Sequence, residues 1–268
     1  MYPFFRVIGV SNDSTLHFFI TNPTSREEVG VNFAKKGRVR FFAPLNFSYI
    51  FLYNKNMKFN FARDALKFLI KEYSIKEVYV PYYLCDVIRH AIVEVGAKPL
   101  FYHINDDFLP AQEFPKDAFI LYPNYFGICD KNVEIMASKY PKLIVDNAHA
   151  YYAKPCGFAS FDSARKFLNT EYGANLYMGS EVNNVTPDYN RRNKFLQIHE
   201  QLETKNCLRI DLQAESIPFC YPYLASSMEE ADEFVKKHRE LVIYRYWKEL
   251  PKSFNEYKFY SRLVPIPL

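Results

Sequence analysis

The sequence predicts an α/β protein: a mainly parallel sheet flanked by helices, followed by a smaller, abbreviated C-terminal α+β domain. From about residue 60, short strand-like apolar segments alternate with segments of helical periodicity. Some strand segments, such as Ala118 to Tyr122, are apolar throughout, which is typical of parallel strands buried on both faces. After residue 180 the composition turns polar. We therefore expect an N-terminal extended region at 1–55, a large α/β domain at 56–180 and a small domain at 181–268.

The individual elements follow from periodicity and from turn residues. In the first 55 residues, strands are expected at 16–20 and 39–42 with a turn at 22–25, which together predict an extended or hairpin-like region. Gly96 is expected to end the second helix of the α/β region. Helices are predicted at 62–73, 84–95, 132–140, 190–202 and 228–241, and later strands at 78–80, 99–102, 118–122, 142–145 and 207–210; 217–221 is an apolar segment.

Composition narrows the class of protein. The chain has 268 residues and a formal charge of +4, and its positive residues are not gathered into one block, which argues against nucleic-acid binding. No apolar run approaches the roughly 20 residues that span a bilayer, and the N-terminus lacks a signal-peptide pattern. The five cysteines form no CxxC pair, so we expect a reduced, cytoplasmic protein without a metal site. They are Cys85, Cys129, Cys156, Cys207 and Cys220.

The most informative segment is an apolar strand that runs directly into an acid. Leu143 to Val145 precedes Asp146, and ligands of parallel sheets bind beyond the carboxyl ends of the strands. His149 follows three residues later, and Lys166 lies 20 residues after Asp146. This set is typical of a site for pyridoxal phosphate (PLP), in which an aspartate pairs with the ring nitrogen and a lysine holds the aldehyde carbon. The alternatives are a strand-end aspartate that caps a turn and a structural histidine.

The lysine role goes to Lys166 because Phe167 and Leu168 predict a partly buried setting, where a lysine pKa falls and the neutral amine becomes nucleophilic. Lys154 is the rival, but it lies in a turn beside Pro155.

A phosphate group also needs donors. Ser160 and Ser163 could supply hydroxyls, with ordinary loop serines as the alternative. The first helix of the α/β region begins near Ala62 and Arg63, whose amides could hold an anion.

Several of these segments, in order over roughly residues 60 to 178, resemble the DegT/DnrJ/EryC1/StrS sugar aminotransferases, which are fold-type I PLP enzymes. The Val145–Ala150 segment resembles the family's "E-D-x-A-Q/H-A" motif, and Ser163–Phe167 resembles an "S-P-R-K-F" variant of its lysine motif. The other matching runs are Ala62–Leu66, Val78–Cys85, Val95–Phe101 and Asn124–Gly127.

The resemblance implies a homodimer that transfers an amino group from an amino acid, usually glutamate, to a keto-sugar nucleotide, for surface polysaccharide or amino-sugar biosynthesis. It implies that Lys166 binds PLP and moves a proton, that Asp146 stabilises the charged ring, and that His149 contacts the ring oxygen. The aromatic residue that stacks on the ring in the family falls near Cys85, where Tyr83 or Tyr82 could substitute.

The chain departs from the family pattern after Met178, where much of a segment is missing, and at Leu268, where family members continue. Only one glycine, Gly173, follows the lysine motif closely. These departures keep a second hypothesis open: a shortened, non-catalytic relative that binds a ligand or a partner. A third hypothesis, PLP-dependent sugar dehydration, is disfavoured because such relatives carry histidine at the position of Lys166.

Overall fold

A computed structural model describes residues 6–12, 15–22, 25–33, 39–40, 57–171, 173–179, 185–247 and 249–268. The chain divides into two compact units, Met1–Asn54 and Lys55–Leu268. Among the described residues, no helix is both long and apolar enough to cross a membrane.

The first unit contains an antiparallel meander, in keeping with the expected hairpin-like region. Its strands are β1 (Arg6–Asn12), β2 (Thr15–Asn22), β3 (Ser25–Phe33) and β4 (Val39–Arg40), which pair in that order. Strands β1 and β3 were not predicted. Residues 23–24 of the predicted turn and 41–42 of the predicted strand lie outside the described residues.

The second unit is built on a seven-stranded sheet whose spatial order is β5-β11-β10-β9-β8-β6-β7. Its strands are β5 (Met57–Phe59), β6 (Glu77–Pro81), β7 (Lys98–Tyr102), β8 (Ile120–Pro123), β9 (Leu143–Asn147), β10 (Ala159–Asp162) and β11 (Ala174–Met178). The five strands from β10 to β7 are mutually parallel, and β11 and β5 add an antiparallel edge. The predicted mainly parallel sheet is confirmed.

Helices lie on both faces of this sheet: α1 (Ala62–Glu72) and α2 (Asp86–Glu94) on one, and α3 (Asp130–Lys139) on the other. The C-terminal segment adds α4 (Tyr189–Leu202), α5 (Met228–Lys237) and α6 (Tyr257–Arg262). Side chains alternate along a strand, so Ile144 of β9 packs in a cluster with α1 and α2, while Leu143 and Val145 pack in a second cluster with α3 and the C-terminal segment. Burial on both faces explains why β9 is apolar throughout.

The five predicted helices are present with ends that agree or differ by at most four residues, and α6 was not predicted. Gly96 follows α2 with φ +79°, a left-handed conformation that glycine adopts without a steric penalty, as expected for the residue after a helix. Helix α5 ends at Lys237 rather than at 241.

In the C-terminal region, one predicted strand is wrong. The segment 207–210 is irregular, because Asn206 Oδ1 accepts hydrogen bonds from the backbone N–H groups of Leu208 and Leu224 and so interrupts regular pairing. The apolar segment 217–221 leads into β12 (Cys220–Leu224), which pairs antiparallel with β13 (Leu263–Pro267). Residues on both sides of the predicted boundary at 180, such as Tyr122 and Tyr221, share one apolar cluster. The division at 180 stays a prediction.

Candidate active site

The carboxyl end of β9 faces a cavity of about 140 Å³. Asp146 lies next to Pro123 of β8 and Phe161 of β10 in the strand register, so it occupies the centre of the sheet's carboxyl edge. The sheet alternation puts it on the same face as Ile144, the face covered by α1 and α2. The cavity is lined by Phe61, Ala62, Arg63, Leu84, Cys85, Val87, Ile88, Pro123, Asn124, Asp146, Ala148, His149, Ser163, Arg165, Lys166 and Trp247.

Asp146 is a buried carboxylate with one recorded hydrogen bond. Its Oδ1 accepts from the backbone N–H of Ala148 at 2.9 Å, the only hydrogen bond of this carboxylate among the described residues. Burial raises the pKa of Asp146 to about 6, and the Ala148 amide and the nearby Lys166 amine partly oppose this rise. A positively charged ligand in the cavity would therefore stabilise the ionised form of Asp146.

Lys166 belongs to a short 3₁₀ turn, Ala164–Lys166, directly after β10. The turn is anchored by the backbone, since Ala164 N–H donates to the carbonyl oxygen of Gly173 at 3.0 Å. Burial of the amine lowers the pKa of Lys166, and the charge of Asp146 opposes that shift. The turn thus delivers an amine of reduced basicity to the cavity that Asp146 lines.

His149 contributes an unpartnered nitrogen. Its Nε2 is buried and has no hydrogen-bond partner among the described residues. The pKa of His149 is well below its usual range, because burial disfavours the charged ring and Lys166 adds to the effect. The imidazole is therefore neutral, with a hydrogen-bonding atom available to a ligand.

The N-termini of two helices line the same cavity. The first residues of α1, Ala62 and Arg63, line the cavity, and their backbone N–H groups have no partner within the helix. Cys85 is the residue before α2 and also lines the cavity. Together with Ser163 and Arg165, these N-termini make this wall suited to an anion.

Three residues named in the sequence analysis do not line the cavity. Ser160 lies inside β10, fully buried between Val145 of β9 and Tyr177 of β11. Tyr83 is buried in the aromatic core, where its hydroxyl donates to the carbonyl oxygen of Tyr246 at 2.9 Å. Tyr82 instead stacks on Phe101 at 5.1 Å. The turn after β6 therefore brings Leu84 and Cys85, rather than either tyrosine, to the cavity wall.

Three residues near the site were missed by the sequence analysis. Asn124 lines the cavity, and its Nδ2 donates to Asp130 Oδ1 at 2.6 Å. Trp247 lines the cavity with its indole nearly parallel to the imidazole of His149, at 5.6 Å between centroids. Phe219 stacks on His149 at 4.5 Å, and the ring planes differ by 18°. Asn124 directly follows β8, so its strand-end position was the one available signal; the two aromatic residues lie far away along the chain.

The described residues contain no group of three His, Cys, Asp or Glu side chains that could hold a metal ion.

Comparison with known proteins relates this arrangement to solved structures. No protein-family model matches the chain, and neither does any curated protein. A DegT DnrJ EryC1 StrS aminotransferase from Brucella abortus superposes with a TM-score of 0.60 at 13% identity, over 82% of this chain and 83% of that one. A Streptococcus pneumoniae protein assigned to the sugar aminotransferases, in its PLP form, gives 0.60 at 16% identity, over 82% and 84%. Helicobacter pylori PseC, an aminotransferase involved in pseudoaminic acid biosynthesis, gives 0.56 at 16%, over 79% and 81%.

These likenesses establish the fold. At 13–16% identity they do so without assigning an activity to this chain. The fold that the sequence resemblance implied is confirmed.

Proposed function

We propose that this chain is a PLP-dependent aminotransferase that moves an amino group from an amino acid, glutamate in the first instance, to a keto-sugar nucleotide. The observation that carries the proposal is a single cavity shared by a buried carboxylate, a desolvated amine and an unpartnered neutral imidazole. The solved structures of the same fold include sugar aminotransferases, one of them in a PLP form, which supports both the cofactor and the substrate class.

The residues of the cavity fit PLP in size and in chemistry. A cavity of about 150 Å³ holds one benzene ring, so the roughly 140 Å³ measured here corresponds to the pyridine ring alone, and the phosphate would extend towards the helix N-termini at the wall. The buried Nε2 of His149 lacks a partner that a ring oxygen would supply. The amides at the start of α1, with Ser163, Arg63 and Arg165, could hold the phosphate.

When bound, PLP supplies a ring that withdraws electrons from the substrate carbon bearing the amino group. Asp146 would hold a proton on the ring nitrogen by pairing its carboxylate with the positive charge. His149 would make a hydrogen bond from Nε2 to the ring oxygen. Since burial lowers the pKa of the Lys166 amine, this amine would hold the aldehyde carbon of PLP and, once released, would accept the proton of the substrate Cα.

The direct test compares two lysines. Purified protein mixed with PLP should acquire the visible absorbance of lysine-linked PLP and should transfer the amino group of glutamate in a half-reaction without acceptor. Lys166→Ala should abolish both, whereas Lys154→Ala, which removes an exposed lysine, should leave both intact. A wild-type protein without the absorbance, or a Lys166→Ala variant that keeps it, would overturn the proposal. Supplying individual keto-sugar nucleotides to the aminated enzyme then identifies the acceptor.

A further inference from the structure

The segment Ile217–Phe219 passes unusually close to the turn that follows β8. The backbone N–H of Phe219 donates to the carbonyl oxygen of Phe126 at 2.8 Å. A Cβ atom on Gly127 would lie 2.4 Å from the carbonyl oxygen of His149 and 3.2 Å from the nitrogen of Phe219. Three pieces of backbone therefore meet where only glycine fits, and this contact holds the segment against His149.

The ring of Phe219 lies between two residues of the proposed site. Its centroid is 4.5 Å from that of His149, and the planes are nearly parallel. The Nζ atom of Lys166 lies 5.6 Å from the same centroid, within cation–π distance. The carbonyl oxygen of Phe219 accepts from Arg191 Nη1 at 2.9 Å. Both peptide groups of Phe219 are thus fixed, and one rigid ring contacts both functional side chains.

Phe219 is more exposed to solvent than the core residues around it. Pro218 and Cys220 are buried, whereas Phe219 is only partly buried. A phenylalanine that only filled the core would be expected to be buried like Phe126, which is fully covered and stacks on His149 at the longer distance of 5.9 Å.

We propose that Phe219 is a positioning residue of the site, whose ring holds the imidazole of His149 and the amine of Lys166 in a fixed relation. The functional role of this positioning rests on the proposed PLP-dependent function, whereas the contacts of Phe219 with His149 and Lys166 are observed within the chain itself. The lysine stem has several rotatable bonds, so a rigid wall reduces the conformational entropy that is lost when the amine is held in place. Stacking also keeps the imidazole out of water.

Among the described residues, three titratable groups face His149. Lys166 is the charged group that acts on it, Tyr246 lies at 5.3 Å between ring centroids, and Asp146 precedes it by three residues in the same cavity wall. Burial raises the pKa of Tyr246 to about 12, so its phenol stays neutral. Removal of the Phe219 ring is therefore expected to act on His149 through exposure to water.

The test uses Phe219→Leu, Phe219→Tyr and a matched control, Phe234→Leu. Phe234 of helix α5 lies 4.4 Å from His238, the residue that follows the helix, with ring planes tilted by 37°, so the control removes a Phe–His ring contact that does not line the cavity. The first readout is NMR titration of His149 in the protein without PLP, with its signal assigned by its loss in His149→Gln. The second is PLP affinity, measured by quenching of Trp247, which is the one tryptophan of the chain and lines the cavity.

Wild type and Phe219→Tyr should keep His149 neutral well below the pH at which exposed histidines titrate. Phe219→Leu should shift that titration towards the ordinary range and weaken PLP binding by roughly two- to ten-fold, the range that loss of an aromatic pair corresponds to. Phe234→Leu should change neither. If Phe219→Leu does not fold, Phe219→Met gives the same comparison.

Unchanged His149 titration and PLP affinity in Phe219→Leu would overturn the inference. Failure of the wild type to bind PLP would instead overturn the proposed function, and the titration of His149 would still decide whether Phe219 positions it.

Discussion

Asp146 and Asp162 lie at the carboxyl ends of two adjacent parallel strands, and they differ in what surrounds them. Both are buried, with exposed fractions of 7% and 1%, and burial raises the pKa of each to about 6. Asp162 accepts three hydrogen bonds, from the backbone N–H and the Nδ2 of Asn175 and from the hydroxyl of Tyr177. Asp146 accepts one and faces a cavity. The raised pKa reports burial in both cases, whereas the missing hydrogen bonds distinguish a site from a structural carboxylate.

The largest expected difference between the two aspartates is in cofactor binding. Asp146→Ala should weaken PLP binding by about 10²- to 10⁴-fold, because it removes the partner of a buried charge, which typically costs about 3–5 kcal/mol. Asp162→Ala should change the affinity for PLP by less than about threefold, which corresponds to a much smaller loss of binding free energy. Titration of PLP into each variant checks the pair, and equal losses would remove the distinction drawn here.

The pH dependence of stability gives a second comparison. In the protein without PLP, each aspartate keeps its proton up to about pH 6 in the native state and loses it near 3.8 when unfolded. The native state then binds more protons between these values, so the free energy of unfolding should fall as pH rises from about 4 to 6, by roughly 2–3 kcal/mol for each group.

Asp146→Asn should remove its share of that decline, and saturating PLP should do the same in the wild type, because a positive ring partner favours the carboxylate. The share of Asp162 should persist with PLP. Urea denaturation from pH 4 to 7, with and without PLP, measures both shares. A decline that PLP leaves untouched would contradict the pairing of Asp146 with the cofactor.

The smallest expected effect is the stability difference between two alanine variants at pH 7. At this pH both variants lose an ionised buried carboxylate, so the difference between them reflects the hydrogen bonds. Asp162→Ala leaves the donors of Asn175 and Tyr177 without this acceptor, whereas Asp146→Ala leaves only the Ala148 amide, so Asp162→Ala should be the less stable variant by about 1 kcal/mol. The reverse order would show that Asp146 is the structural residue of the two.

The local elements of this fold can be predicted from the sequence. Helix α1 and strand β9 are predictable because their apolar spacing matches one periodicity over the whole element. The order of Asp146, His149 and Lys166 around β9 and β10 was also readable, since parallel strands end at one edge of the sheet. Their roles with PLP stay a prediction.

The parts that were not predictable depend on contacts between distant segments. Phe219 lies 70 residues after His149, and Trp247 lies further still, so no spacing rule indicates that they surround its imidazole. The irregular segment 207–210 has an apolar pattern typical of a strand, but the side chain of Asn206 takes the hydrogen bonds that define its path. Tyr83 was misplaced because the turn after β6 directs it into the core.

The central claim is that the amine of Lys166 is the group that holds PLP in this cavity. Borohydride reduction of the PLP-treated protein, followed by peptide mass spectrometry, would fix the link at one lysine. The account predicts the added mass on the peptide that contains Lys166 in the wild type, and none in Lys166→Ala. The added mass on Lys154 or another lysine, or on none, would contradict it.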